Sequence, residues 1–370
     1  MQISDKIEDY IILETVGSGT DSVVKRAKHR TDGYYVAVKL IKSEIVEDDE
    51  FRQMIEDEFT IHKTLSQSDF IIKIYGSFVS PNMGYAILDL CEESLYVYLE
   101  RRKKLDVSES LFIFRQMCKA VEYMHERNYK HLDIKPGNIM GCGGVWKLAD
   151  FGFSTPQNYS RRVVGTQIYM PVEIYRAIRD YRNKVPYEKS EEYKCKPVDI
   201  WSLGIILYNI LLGEYPSYVY EKDMEVKIKG ITEFSFENKL IRRIAYKPVI
   251  ELINYVLDKN PETRPDISNV LKHPALNEYE WYSTLLEFED IGVANSVKWM
   301  RGKSDTESSA NVQILGPTNN GIFVAGLVSK GKVNELQAFL TRANSVPYID
   351  ELIKKKNSDE FVFGEYIHIK

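Results

Sequence analysis

The sequence predicts an α+β protein, with strands concentrated in the N-terminal part and helices in the longer remainder. Three observations lead there. Tyr34-Tyr35-Val36-Ala37-Val38-Lys39 alternates its side chains with the period of a strand, and shorter β-like runs lie at 10–13, 71–75 and 84–88. From Glu50 to Leu65 the pattern is helical, with Met54, Glu58, Ile61 and Leu65 recurring along one face. Farther on, helical spacing takes over. Leu111, Phe114, Met117, Cys118, Val121 and Met124 mark an amphipathic helix from about Ser110 to Arg127. Asp199-Ile200-Trp201 opens a stretch apolar on nearly every face as far as Leu212, the pattern of a buried helix, which stops at Gly213 with Pro216 beyond.

The bulk numbers describe a globular chain. Its 370 residues are 44% hydrophobic and 28% charged, enough for two or three domains' worth of core. A net charge of −5 gives no general attraction to polyanions, so neither nucleic acid nor an anionic membrane is expected as a partner. The longest apolar run, Ile205 to Leu212, is too short to span a bilayer. Met1-Gln2-Ile3-Ser4-Asp5 does not read as a signal peptide, and Gln2 stands where myristoylation requires glycine. Cys91, Cys118, Cys142 and Cys195 lie far apart, with no C-x-x-C pair and no histidine at metal-ligand spacing. They are expected as free thiols in a reducing compartment, cytoplasmic or nuclear.

Chemistry concentrates in His131-Leu132-Asp133-Ile134-Lys135-Pro136-Gly137-Asn138, followed by Asp150-Phe151-Gly152. An acid, a lysine, an asparagine and a second acid are what phosphoryl transfer demands: a carboxylate at the acceptor hydroxyl, a cation at the moving group, and two oxygen ligands for Mg²⁺. Upstream, Gly17 and Gly19 follow the first β-like run, where glycines let backbone amides approach an anion. Glu58 is an acid in an otherwise apolar helix stripe, a costly placement unless it meets a cation. Lys39, at the end of its strand, is the expected partner.

The order and spacing of these pieces resemble the eukaryotic protein kinase family, serine/threonine class, over residues 10–276. That resemblance implies a bilobal fold: a small, mostly β lobe (about 10–90) of five strands and one helix, and a larger, mostly α lobe (about 92–280). ATP would lie between the lobes with Mg²⁺. By the same resemblance Asp133 accepts the proton of the substrate hydroxyl, Lys135 neutralises the γ-phosphoryl group, and Thr166 bridges the two. Asn138 and Asp150 hold Mg²⁺, while Lys39, fixed by Glu58, positions the α- and β-phosphates. Val16, Gly17, Gly19, Val24, Ala37, Leu88, Asp89, Cys91 and Met140 would line the ATP site. Backbone groups of Asp89 and Cys91 would meet the adenine edge at the hinge, and Met140 would floor the pocket. Gly165 to Glu173 resembles the substrate-docking segment, and Arg264 would pair with Glu173.

Some positions depart from the family pattern. Ser22 replaces the third glycine, Leu132 stands where many members carry arginine, and Pro171-Val172-Glu173 replaces Ala-Pro-Glu. The long interval from Glu173 to Asp199 suggests an exposed insert around Arg179 to Lys194. Two alternatives belong to other classes. A small-molecule phosphotransferase could share the His-x-Asp-x-x-x-x-Asn pattern, but would not be expected to carry the docking segment or Arg264. A catalytically inactive scaffold fits the departures, although every residue with a direct chemical role is present.

After Trp281 the resemblance ends. Residues 281–310 read as a linker, and 311–370 as a small appended α/β module with a possible regulatory partner. Val312 to Leu315 and Ile322 to Ala325 form a hairpin pattern around Gly316-Pro317-Thr318-Asn319-Asn320-Gly321. Val333 to Ala343 and Ile349 to Ile353 suggest helices.

Overall fold

The computed structural model describes residues 3–277 apart from 20, 43–46, 237–239, 241–242 and 245–246, together with the backbone of strands at 279–287, 311–318 and 321–329. The N-terminal part is a five-stranded antiparallel sheet of β1 (Tyr10–Ser18), β2 (Ser22–His29), β3 (Tyr35–Ile41), β4 (Ile74–Ser80) and β5 (Met83–Leu88). Its strand order is β1-β2-β3-β5-β4, with helix α1 (Asp49–Leu65) between β3 and β4. Alternation along β3 gives each face its task. Val36 and Val38 enter one buried cluster with Tyr10, Ala27, Tyr85 and Ile87. Ile41 joins Phe59 of α1 and Ala86 in the other. Lys39 belongs to the second face, in register with the fully buried Ala86, and so looks toward α1.

Helix α1 starts one residue before the expected position, capped by Asp48, whose carboxylate accepts from the N–H groups of Glu50 (2.9 Å) and Phe51 (3.1 Å). Its buried stripe differs in part from the expectation. Glu58 and Leu65 are buried, but Met54 is 40% exposed, and Phe59 and His62 complete the inner face. The strand expected at 71–75 begins only at Ile74. Ile71 bridges Leu148 of the larger lobe, and the Ile72 N–H donates to the Leu148 carbonyl at 3.0 Å.

The larger lobe contains β6 (Glu93–Ser94), α2 (Leu95–Arg102), α3 (Val107–Glu126), β7 (Ile139–Cys142), β8 (Val145–Leu148) and β9 (Tyr159–Ser160). It continues through α4 (Val172–Arg182), β10 (Tyr193–Lys194), α5 (Cys195–Leu212), α6 (Met224–Glu233), α7 (Lys247–Val256) and α8 (Ile267–Leu271). The β7–β8 turn is the expected glycine pair, with φ of 53° at Gly143 and 86° at Gly144. Helix α5 is the lobe's centre and packs against α3 and α7. At 18 residues it is longer than the apolar run read from the sequence. Among the described residues it alone has the length and apolarity to cross a membrane, and burial of 83% of it inside the lobe accounts for that composition.

Two expectations are corrected here. Cys91 and Cys142 are joined by a disulfide, with Cα atoms 4.4 Å apart across a sequence separation of 51, so only Cys118 and Cys195 are free thiols. Antiparallel pairing of β6 with β7 brings the two segments alongside, which their distance in sequence concealed. The insert expected around Arg179 to Lys194 is exposed only in its middle. Arg179 and Asp180, in α4, are half-buried, and Tyr193 is buried where β10 pairs with β9.

Beyond residue 278 the hairpin expected from the sequence is present as β12 (Asn311–Thr318) paired with β13 (Gly321–Ser329). A further strand, β11 (Tyr279–Glu287), pairs with β13, so residues 281–287 are strand and not linker. The rest of the expected linker and the two C-terminal helices lie outside the described residues.

Arg264 closes the fold of the larger lobe. Its side chain is fully buried, donates to Glu173 Oε1 (2.7 Å) and Oε2 (3.3 Å), and also reaches the carbonyls of Pro197 and Asp258, both at 2.8 Å. Glu173→Ala would strand this cation and is expected to cost about 3–5 kcal/mol, measured as a shift in the urea unfolding midpoint. The double variant Glu173→Met with Arg264→Met should recover much of that loss. A single variant of wild-type stability would contradict the assignment.

Candidate active site

The catalytic loop is shaped from below by Asp199 of α5, which is 1% exposed. Its Oδ2 accepts from the His131 N–H (2.9 Å) and contacts His125 Nε2 (2.8 Å), while Oδ1 accepts from the Leu132 N–H (2.8 Å). Those amides converge because Leu132 is left-handed, with φ of 64°. His131 is buried, and its Nδ1 accepts from the Asp133 N–H at 3.2 Å, so its proton sits on Nε2, 3.1 Å from the Ala149 carbonyl.

Asp133 emerges from this turn with both oxygens engaged. Thr166 Oγ1 donates to Oδ1 at 2.7 Å, Lys135 Nζ donates to Oδ2 at 2.6 Å, and Lys135 also reaches Thr166 Oγ1 at 3.1 Å. Asn138 donates its amide to the Asp133 carbonyl at 2.9 Å. The four residues singled out in this loop and docking segment are thus brought together as expected.

On the opposite wall, Lys39 Nζ lies 2.6 Å from Glu58 Oε1 and 3.7 Å from Asp150 Oδ1. Burial works against the Lys39 ammonium, yet Glu58 and Asp150 together hold it above the ordinary lysine value. For Asp150, burial would raise the carboxyl, but Lys39, His131 and Lys135 hold it below its ordinary value. Asp150 is itself left-handed (φ 66°), which turns its carboxylate to the cleft while Phe151 goes inward. Phe151 is 1% exposed and stacks at a tilt between His62 and His131, with centroids 4.7 and 5.4 Å away.

The expected ATP-lining residues surround this wall. In the glycine-rich turn the Gly19 N–H donates to the Ser22 carbonyl at 2.9 Å, and Lys42 Nζ donates to the Gly19 carbonyl at 3.2 Å. Ser22 is buried, and its hydroxyl oxygen lies beside the turn, 3.8 Å from where a Cβ at Gly19 would stand. Val16 is exposed, Val24 lies opposite Gly17 and Lys39, and Ala37 lies opposite Leu88. At the hinge, the Asp89 N–H donates to the Lys73 carbonyl at 3.1 Å. The Asp89 carboxylate binds Lys147 Nζ (2.7 Å), Tyr75 OH (2.6 Å) and the Lys73 N–H (3.1 Å), fastening the hinge to β8. Met140 sits in β7, half-buried and paired with Lys147.

Sequence reasoning missed Asp199 as the anchor of the loop, Lys147 as the partner of the hinge acid, and His62 beneath Phe151. Asp199 left a signal, an acid in a helix otherwise apolar on every face; the other two left none of comparable weight.

A two-lobed fold with this constellation in its cleft defines a phosphotransferase of the protein kinase type. Residues 10–276 match the protein kinase domain, and the chain belongs to that family. It is similar to the Aurora kinase of Schizosaccharomyces pombe, at 31% identity over 73% of this chain and 72% of that protein. It is also similar to the serine/threonine-protein kinase TIO of Arabidopsis thaliana (29%, over 80% of this chain and 21% of that protein). A third relative is the serine/threonine-protein kinase PLK4 of Aedes aegypti (27%, over 77% and 35%). The chain therefore spans only a part of the latter two. Its class is that of the ATP-dependent serine/threonine kinases.

His62 gives the site wall a pH signature. Burial lowers its imidazole from the ordinary 6.5 to about 4, and neutral Nε2–H donates to the Ile72 carbonyl at 2.7 Å. Because the unfolded chain binds the proton more readily, the contribution is present above about pH 6.5 and is lost as pH falls toward 4. Relative to wild type, His62→Gln should flatten the stability profile across that window by roughly 3 kcal/mol, read from unfolding midpoints at a series of pH values. Identical pH slopes for the two proteins would refute the assignment.

Proposed function

We propose that this chain transfers the γ-phosphoryl group of ATP to serine and threonine hydroxyls of protein substrates, and that it does so without an obligatory phosphate on its activation segment. The observation that carries this reading is Asp133, held on both carboxylate oxygens by Thr166 and Lys135, together with the Lys39–Glu58 pair. A carboxylate so fixed orients an incoming hydroxyl and accepts its proton. Lys135 lies beside it to offset charge on the moving phosphoryl group. Lys39 would position the α- and β-phosphates, below the Gly17–Gly19 turn, whose Gly19 N–H is committed to the Ser22 carbonyl.

The residues expected to hold Mg²⁺ suit a hard cation. Asn138 commits its NH₂ to the Asp133 carbonyl, which leaves its side-chain oxygen as an acceptor, and the Asp150 side chain is 50% exposed. Two oxygen donors match an ion that takes its remaining ligands from water and phosphate. When bound, Mg²⁺ supplies charge neutralisation to the phosphates.

Support for independence from phosphorylation comes from how the activation segment is ordered. Leu132, 4% exposed, has no donor with which to hold a phosphate. The returning segment instead packs directly on it. Gly165 (φ 99°) runs so close that a Cβ there would lie 2.4 Å from the Leu132 carbonyl oxygen. Thr166 follows at once and completes the bridge to Asp133. Residues from 279 onward, which continue past the family match with strands of their own, are assigned a regulatory role toward a partner.

Turnover of radiolabelled ATP with a generic basic protein substrate tests the activity. Asp133→Asn should lower kcat by about 10²–10⁴-fold with the Kd for nucleotide unchanged; near-normal turnover in that variant would overturn the mechanism, and no wild-type turnover would favour the scaffold alternative. Phosphatase-treated protein, shown unmodified by mass spectrometry, should keep nearly its untreated initial rate. A large drop, recovered on rephosphorylation between Ser154 and Thr166, would sink the claim of independence.

A further inference from the structure

Lys130, immediately before the catalytic loop, is fully buried, an expensive place for an ammonium unless it is well bonded. It is well bonded. Its Nζ lies 2.9 Å from the Asn128 carbonyl, 2.7 Å from Asn128 Oδ1, 3.0 Å from the Pro156 carbonyl and 2.8 Å from Asn158 Oδ1. Three N–H bonds are thus shared among four neutral oxygens. The oxygens come from two separate places: the turn that ends α3, and the activation segment just after Asp150-Phe151-Gly152. Asn128 is left-handed (φ 61°), a conformation asparagine tolerates, which lets its carbonyl and its side chain face the same cation. Its amide also donates to the Pro156 carbonyl at 3.0 Å.

The surrounding backbone makes this knot a point of leverage. Lys130 and Thr155 exchange both backbone hydrogen bonds, at 2.9 and 3.0 Å. Immediately after Asn158 the segment enters β9, which pairs with β10, and the Asn158 carbonyl accepts from the Cys195 N–H at 2.9 Å. Farther along, Tyr193 OH donates to the Arg162 carbonyl at 2.5 Å. The path from Lys130 through Asn158, β9 and Arg162 leads to Gly165 and Thr166, which touches Asp133. Lys130 therefore sets where the segment begins, and the rest follows by register.

We propose that Lys130 is a positioning residue for the phosphotransfer reaction, a built-in cation that fastens the start of the activation segment to the catalytic loop and so presents Thr166 to Asp133 without a phosphate. The role rests on the reading of the chain as a protein kinase. The partners of Lys130 are Asn128, Pro156 and Asn158, and it acts through the segment it holds.

The test uses the full chain after phosphatase treatment, with Lys130→Met, Lys130→Arg and Asn158→Ala. Methionine keeps length and fills the buried site while removing the donors. Lys130→Met should lower kcat for a generic basic protein substrate by on the order of tenfold, with nucleotide Kd unchanged, as expected for loss of charge-assisted hydrogen bonds. Hydrogen exchange should rise at amides 153–165 and stay at wild-type rates in α3 and α5. Lys130→Arg should restore part of the turnover, and the exposed Asn158→Ala should show a smaller change of the same kind. Wild-type kcat and exchange in Lys130→Met would overturn the proposal, as would exchange that rises uniformly through both lobes with a matching fall in Tm. If Lys130→Met fails to fold, Asn158→Ala decides, and unchanged turnover and exchange in it would overturn the proposal. Should wild type bind nucleotide but phosphorylate nothing, local exchange at 153–165 in the variants still reports on the clamp, and only the kinase reading fails.

Discussion

Asp199 holds one carboxylate, almost wholly out of water, against the two amides of His131 and Leu132. A buried anion needs such donors, and charge-assisted bonds to it are among the stronger ones available to a fold. In return the backbone is kept in a left-handed turn at Leu132, a conformation that costs on the order of 1–3 kcal/mol for a residue with a Cβ. Much else depends on that turn. It aims Asp133 at Thr166 and Lys135, places His131 beneath Phe151, and offers the Leu132 carbonyl as the surface over which Gly165 passes. Helix α5 is buried on nearly all sides, so the anchor is mounted on an element packed into the core of the larger lobe.

The cleft also depends on how the lobes are stitched at its closed end. Ile71 and Ile72 meet Leu148, and the hinge acid Asp89 meets Lys147, so strand β8 is bonded to the smaller lobe just before it delivers Asp150. Lys39 reaches Asp150 across this seam. The spacing between Lys39 and Asp150 is therefore set by a short bonded path and not by the distant lobe tips.

Much of this was legible in the sequence because periodicity and chemistry agreed. The alternation of β3 marked a strand ending at Lys39, and an acid within an apolar helical stripe identified Glu58 as its partner. The catalytic loop, Thr166 and the Glu173–Arg264 pair were legible through resemblance to a family whose motifs fall in fixed order. What escaped were contacts that depend on tertiary closure. Nothing local marks Lys147 as the partner of Asp89, 58 residues away, or sets Cys91 beside Cys142. Nor does local pattern show that Tyr193 is buried, because its burial requires β9, which is too short to leave a periodic signal. Lys130 was hidden for a related reason: a lysine after a helix end ordinarily reads as solvated, and only the returning segment encloses it.

The Glu173–Arg264 pair has a consequence for the order in which a growing chain becomes competent. The partners are 91 residues apart, and the arginine comes last. At about 5–20 residues per second of synthesis, Glu173 waits roughly 5–20 s for its counter-ion after it is made. Throughout that interval Asp133, Lys135 and Thr166 already exist, but the base of the docking segment holds an unpaired acid that cannot settle into the core. A chain that ends before residue 264 thus carries Asp133, Lys135 and Thr166 while Glu173 still lacks its counter-ion.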